Sequence, residues 1–176
     1  MNIILGITGS ISAYKMVEVM RLFQKNNHQV SIILTKAAQK FITPLTFATF
    51  APGRVYTDMF AENQDPLLHI NLAGDNDLLL IAPASANIIG KMANGIADDL
   101  LSTTFIAFYK KVAIAPAMNF HMLENKAVVE NMSRLESRGL VVIDPELGSL
   151  ACSTEGKGRL PAAEKIYEFC LKLNND

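Results

Sequence analysis

Cysteine is scarce in this 176-residue chain. Cys152 and Cys170 are too few for a disulfide scaffold, so the default setting is reducing and cytoplasmic. An excess of charge is missing too: 16 basic and 17 acidic residues leave a net charge of −1. With no Lys/Arg run or basic tail, nucleic acid is not expected as a partner. No apolar run approaches the roughly 18–20 residues of a membrane span. Met1–Leu5 lacks the basic start of a signal peptide and runs straight into Gly6 and Gly9. The histidines and cysteines have no metal-ligand spacing, so no metal site is expected. What is abundant is apolar residue, 50% of the chain. That is enough for one domain over residues 1–176, with a sizeable core or with surface to bury in an oligomer.

Those apolar residues are patterned. Asn2–Ile7 is a continuous run stopped by Thr8-Gly9-Ser10, which suits a strand buried on both faces. Ala13, Met16, Val17, Met20 and Phe23 then recur at helical spacing over Ser12–Asn26. Gln29–Leu34 reads as a second strand ending at Thr35, Asp77–Ala82 as a third broken by Pro83, Val112–Ala115 as a fourth and Val141–Ile143 as a fifth. Thr43-Pro44 looks like an N-cap followed by Pro at the first helical position. Helices are expected over Ser85–Ala93 with Gly95 behind it, over Asp98–Phe108, and from about Glu124 to Gly139. A last one covers Pro161–Leu173, with Ile166, Phe169, Cys170 and Leu173 inward. Glu146–Arg159 has turn residues and little periodicity and reads as a mobile loop. Strands alternating with helices indicate an α/β chain: a doubly wound parallel sheet in three α/β/α layers.

Ligands on such sheets sit beyond the carboxyl ends of the strands. Those ends, Thr8–Ser10, Thr35, Pro83–Asn87 and Pro116–Asn119, are where polar residues interrupt the apolar runs, and they mark one continuous site. Gly6-Ile-Thr-Gly9-Ser10-Ile-Ser12 lets the backbone approach a phosphate closely, although a turn that merely needs glycine is the plainer alternative. The full Gly-x-Gly-x-x-Gly pattern and the acidic residue after the second strand are both absent, so a mononucleotide such as FMN fits better than NAD. Ser85-Ala86-Asn87 could serve similarly, or Ser85 could simply cap a helix. In Pro116–Met122, PAMNFHM, Asn119 is read as presenting its amide to a carboxylate rather than as a cap, an ordinary turn Asn being the alternative. His69, which lies before the third strand, can take a proton from a thiol or alcohol, though a lone His is often structural. Cys152 sits among Gly148, Gly156 and Gly158 and can donate a proton, whereas Cys170 lies on an apolar helix face and reads as core. Gly156-Lys157-Gly158-Arg159 resembles a phosphate loop, but its spacing is wrong and no Ser or Thr follows Lys157.

Taken together, ITGSISAYK (Ile7–Lys15), TPLTF (Thr43–Phe47), HINL (His69–Leu72), IAPASANIIGKMANGIADDLLSTT (Ile81–Thr104), PAMNFHM and LACSTEGKGRL (Leu150–Leu160) resemble the homo-oligomeric flavin-containing cysteine decarboxylases over essentially the whole chain. The resemblance implies a Rossmann-like fold binding FMN through Gly9, Ser10 and Ile11, Thr35, Ser85, Ala86 and Asn87, and Ala117. It implies that His69 is the active-site histidine, that Asn119 holds the substrate carboxylate and that Cys152 stands on a flap over the site. Met122 and Ala151 lie in the segments that meet the substrate. The implied reaction is decarboxylation of 4′-phosphopantothenoylcysteine to 4′-phosphopantetheine in coenzyme A biosynthesis, through thioaldehyde and enethiolate intermediates. Trimers, often assembled into dodecamers with FMN between subunits, are implied as well. Two departures fall near the substrate: Leu123 stands where the family usually has Trp, and Ser153-Thr154 where it usually has Gly-Asp. The family's peptide C-terminal cysteine decarboxylases typically lack the flap cysteine, so Cys152 favours the small-molecule substrate. A non-catalytic FMN-binding regulator is the alternative from another class, although such proteins usually carry acidic tails.

Overall fold

The computed structural model of the chain describes residues 1–62, 64–149 and 155–175. Six parallel strands, in the order β3-β2-β1-β4-β5-β6, form its central sheet. They are β1 (Asn2–Ile7), β2 (Gln29–Leu34), β3 (Val55–Tyr56), β4 (Leu78–Ala84), β5 (Lys111–Pro116) and β6 (Val141–Val142). The four apolar runs expected as inner strands occupy the middle of the sheet. Ile3 of β1 stands level with Val30 of β2 on one side and Leu78 of β4 on the other. Apart from Asn2, Gln29 and Lys111 at their starts, their residues are buried whichever way they point, as parallel strands covered on both faces require.

Each face has its own core. Under one face lie α1 (Met16–Lys25), α2 (Pro44–Ala48) and α8 (Ala163–Asn175), with Phe23, Phe47, Ile166 and Cys170 inward and Phe169 and Leu173 packed at the margin. Under the other lie α3 (Leu68–Asp75), α4 (Ala86–Ala93), α5 (Leu100–Ala107) and α7 (Lys126–Ser137), which contribute Leu72, Ile89, Leu101 and Leu135. Gly6 is a glycine for packing reasons: a Cβ there would come 2.5 Å from Leu101 Cδ1. Burial pushes the Cys170 thiol up to about 12, so this cysteine is an inert core residue, as its place on an apolar helix face implied.

The structure departs from the sequence reading in several places. The first helix opens as a 3-10 turn over Ile11–Lys15 before α1. Asp99 is the cap of α5 and not part of it: its carboxylate accepts from Ser102 N–H while the Ser102 hydroxyl engages the Asp99 backbone. The helix expected from about Glu124 to Gly139 forms as α7, and a short α6 (Phe120–Leu123) that was not expected precedes it. Strand β3 and helix α3 went unanticipated, since a two-residue edge strand has no period to detect and α3 buries only Leu68, Leu72 and Ala73. Within the expected mobile loop over Glu146–Arg159, β7 (Glu146–Ser149) and β8 (Glu155–Arg159) pair as an antiparallel hairpin, while residues 150–154 lie outside the described residues. Its alternation was hidden by glycines, which face each other at Gly148 and Gly156 and leave no side-chain pattern to read.

Candidate functional site

A cavity of about 660 Å³ opens where the carboxyl ends of β1, β4 and β5 meet the loops that follow them. That volume falls within the range of small-molecule and cofactor sites. Gly9, Ser10 and Ile11 line it from the first loop, Ser85 and Ala86 from the start of α4, and Ala117, Asn119 and Met122 from the turn after β5. Eight of the residues singled out in the sequence are therefore brought together.

One buried hydroxyl ties the first two loops to each other. Thr8, 2% exposed, donates from Oγ1 to the Pro83 carbonyl at 2.6 Å and accepts from Ser85 N–H at 2.9 Å. Ser10 and Ser85 each cap the turn that follows, accepting from Ser12 N–H and Ile88 N–H. Capping, the plainer reading of Ser85, is thus part of how it reaches the cavity wall. Gly9 is confined as well, since a Cβ would lie 2.7 Å from the Ala37 Cβ. Asn119 corrects the reading that it is no cap: its Oδ1 accepts from His121 N–H at 2.9 Å and starts α6.

The hairpin closes a further wall. Met118 N–H donates to the Gly158 carbonyl at 3.2 Å. Gly158 has φ +147°, and a Cβ there would fall 2.2 Å from the Met118 carbonyl oxygen. Gly156 packs on Phe120 in the same way, with a Cβ contact of 3.1 Å. β8 can lie this close to the Met118–Phe120 turn only because it is glycine-rich.

The remaining expected residues lie elsewhere. Thr35 lines a separate cavity of about 190 Å³, and its Oγ1 caps the turn at Ala38. Asn87 is exposed on α4 and His69 is half-buried in the first turn of α3, and neither lines the 660 Å³ cavity. Ala151 and Cys152 lie outside the described residues. Conversely, Tyr14, Lys15, Met118, Gly158 and Arg159 line the cavity although sequence reasoning missed them. Among the described residues, Lys15 and Arg159 are its charged ones, and no carboxylate lines it. The signal for Arg159 was there, in the Gly156–Arg159 run set aside as a phosphate loop.

Comparison with known proteins adds the following. A family model described as "Flavoprotein" matches residues 1–175. The coenzyme A biosynthesis bifunctional protein CoaBC of Bacillus subtilis (strain 168) is 44% identical over 172 residues, which cover 97% of this chain and 42% of that protein. The chain thus spans less than half the length of the curated relatives it matches. Among solved structures, a PPC decarboxylase mutant complexed with pantothenoylaminoethenethiol aligns with a TM-score of 0.87 at 29% identity, covering 99% of this chain and 98% of that one. The FMN binding protein AtHal3 aligns with a TM-score of 0.82 at 30% identity, covering 98% and 95%.

Proposed function

This chain belongs to the flavoprotein family, and from that premise we propose that it is an FMN-dependent decarboxylase that converts 4′-phosphopantothenoylcysteine to 4′-phosphopantetheine in coenzyme A biosynthesis. The observation that carries the reading is the composition of the 660 Å³ cavity: hydroxyls on two loops, small side chains, an Asn amide and two cations, with no carboxylate among the described residues. This donor set fits FMN. Ser10 and Ser85 suit its phosphate and ribityl groups, while Ala86 and Ala117 leave room for a flat ring.

Loss of carbon dioxide from a cysteinyl carboxylate needs an electron sink that no side chain provides, and FMN supplies it through reversible oxidation of the cysteinyl carbon–sulfur unit. The chain's own residues orient and move protons. Asn119 orients the carboxylate for departure, the kind of alignment that carries much of a rate enhancement. Ile11 and Met122, both exposed at the cavity edge, shield the reacting groups from water. His69 accepts a proton from the cysteinyl group, and Cys152 returns one to the product.

His69 reaches a cavity through a second copy of the chain. It stands between Leu67 and Ile70, apolar residues that are 58% and 49% exposed. A homotrimer, alone or within a dodecamer, buries such residues and brings the first turn of α3 to a neighbour's site. The enzyme works in the cytoplasm; no helix among the described residues is long and apolar enough to cross a membrane.

The test is incubation of the purified protein with 4′-phosphopantothenoylcysteine, read by mass spectrometry, with the visible spectrum recorded first. A flavin spectrum and loss of one carbon dioxide per substrate are expected. A flavin spectrum with turnover only of peptides ending in Cys would replace the substrate, and absence of flavin would overturn the reading. The same assay separates the roles. Cys152→Ser is expected to release carbon dioxide but accumulate the ethenethiol, whereas His69→Asn should keep flavin and lose turnover. Saturated product from the first, or full activity in the second, removes that residue from the reaction.

A further inference from the structure

We propose that Arg159 is the phosphate-binding residue of the carboxyl-end cavity, its guanidinium taking a phosphate monoester directly. The inference rests on the proposed function, in which the cofactor and the substrate each bring such a group.

The placement of Arg159 is built rather than incidental. It is the last residue of β8, paired with Glu146 across the hairpin. Gly158, immediately before it, is held against the Met118 carbonyl by a close approach that a side chain would block. Across the ladder, Gly148 clears the path of the arginine itself: a Cβ on residue 148 would lie 3.1 Å from Arg159 Cδ and 3.2 Å from Nη1. Leu160, the next residue, is 1% exposed and sits in the core with Ile166, which anchors the end of the strand. Two glycines and a buried leucine thus fix the backbone on either side of a cationic side chain at the cavity wall.

That side chain has no internal partner. Among the described residues Arg159 makes no hydrogen bond or ion pair, and the cavity offers it no carboxylate. Other cations are engaged within the chain: Lys91 by Asp98 and Asp99, Lys110 by the Gly74 and Asn76 carbonyls, and Lys111 by the Leu173 carbonyl. An arginine on a fixed stretch of backbone, exposed at the edge of a cavity of hydroxyls and making no ion pair among the described residues because Glu146 opposite it is paired with Lys165, is arranged for an anion from outside. A planar guanidinium matches phosphate oxygens in two parallel hydrogen bonds, which lysine does not offer.

The experiment compares Arg159→Gln and Arg159→Lys with the unaltered protein in two ratios. One is the affinity of the apoprotein for FMN relative to riboflavin, read by flavin fluorescence. The other is KM for 4′-phosphopantothenoylcysteine relative to its dephosphorylated form. In Arg159→Gln, one ratio is expected to fall by about tenfold or more, the scale of one charge-assisted hydrogen bond, with the dephosphorylated ligand and kcat little changed. Arg159→Lys recovers part of the loss. A fall in the first ratio assigns the arginine to the cofactor, and a fall in the second assigns it to the substrate. If both ratios survive in both variants, the proposal is overturned. If the unaltered protein neither binds FMN nor turns over, it is the proposed function that fails.

Discussion

The cavity at the carboxyl ends of the strands holds about 660 Å³, while another at their amino ends holds about 930 Å³. The larger one is lined by Asn2, Ser31, Arg54, Tyr56, Asp65, Asn71 and Asp75, among others. Several of its polar groups already serve the chain, and it holds carboxylates, Asp65 and Asp75. Asn71 donates to the Asp65 carboxylate, which also accepts from Leu67 N–H, and Asn2 donates to the Asp75 carbonyl. Nearby, Lys110 satisfies the carbonyls at the end of α3. The smaller cavity spends its hydroxyls on helix starts and, among the described residues, sets no carboxylate beside its two cations. Parallel sheets create this asymmetry. Helices that follow strands begin, amide-first, at the carboxyl end and finish, carbonyl-first, at the amino end. The chain quenches the carbonyl-rich end with its own lysines and asparagines. Volume therefore does not mark the site; the charge of the described lining does, cations alone at one end and a cation with carboxylates at the other.

Three substitutions press on that contrast. Gly158→Ala should have the largest effect, because a Cβ meets the Met118 carbonyl and φ stays positive. Strain and overpacking of this kind cost about 2–4 kcal/mol together. Chemical unfolding should register that loss, and flavin should dissociate more readily. Unchanged stability would mean that β8 is not locked to the turn after β5. Thr8→Val comes next. It removes a donor to Pro83 and an acceptor for Ser85 N–H in a buried position, at a cost of about 1–3 kcal/mol. Thr8→Ser should restore both stability and FMN affinity, and a serine variant as weak as the valine one would show that packing, not the hydroxyl, ties the loops. Arg54→Ala, in the opposite cavity, is expected to do least. The exposed side chain makes no hydrogen bond or ion pair among the described residues, so stability should move by less than about 0.5 kcal/mol. Flavin titration and turnover should match the unaltered protein, and a weakened cofactor would mean that the two ends of the sheet are coupled.

Much was determined by the sequence alone. The continuous apolar runs at Asn2–Ile7, Gln29–Leu34, Asp77–Ala82 and Val112–Ala115 specify inner parallel strands, because only strands covered on both faces need apolar residues at every position. The polar residues that end those runs named most of the cavity wall, from Gly9 and Ser10 through Ser85 to Asn119, since loops after parallel strands face the same edge. Other features were decided only in three dimensions. That Thr8 bridges residues 83 and 85, that Gly158 is a packing requirement and that Arg159 reaches the cavity all follow from contacts between segments distant in the chain. Local period and propensity carry no information about such contacts. The hairpin of β7 and β8 is the clearest case. Its glycines read as a loop along the chain, yet their missing side chains are what let the strand pack against the turn after β5 and complete the site.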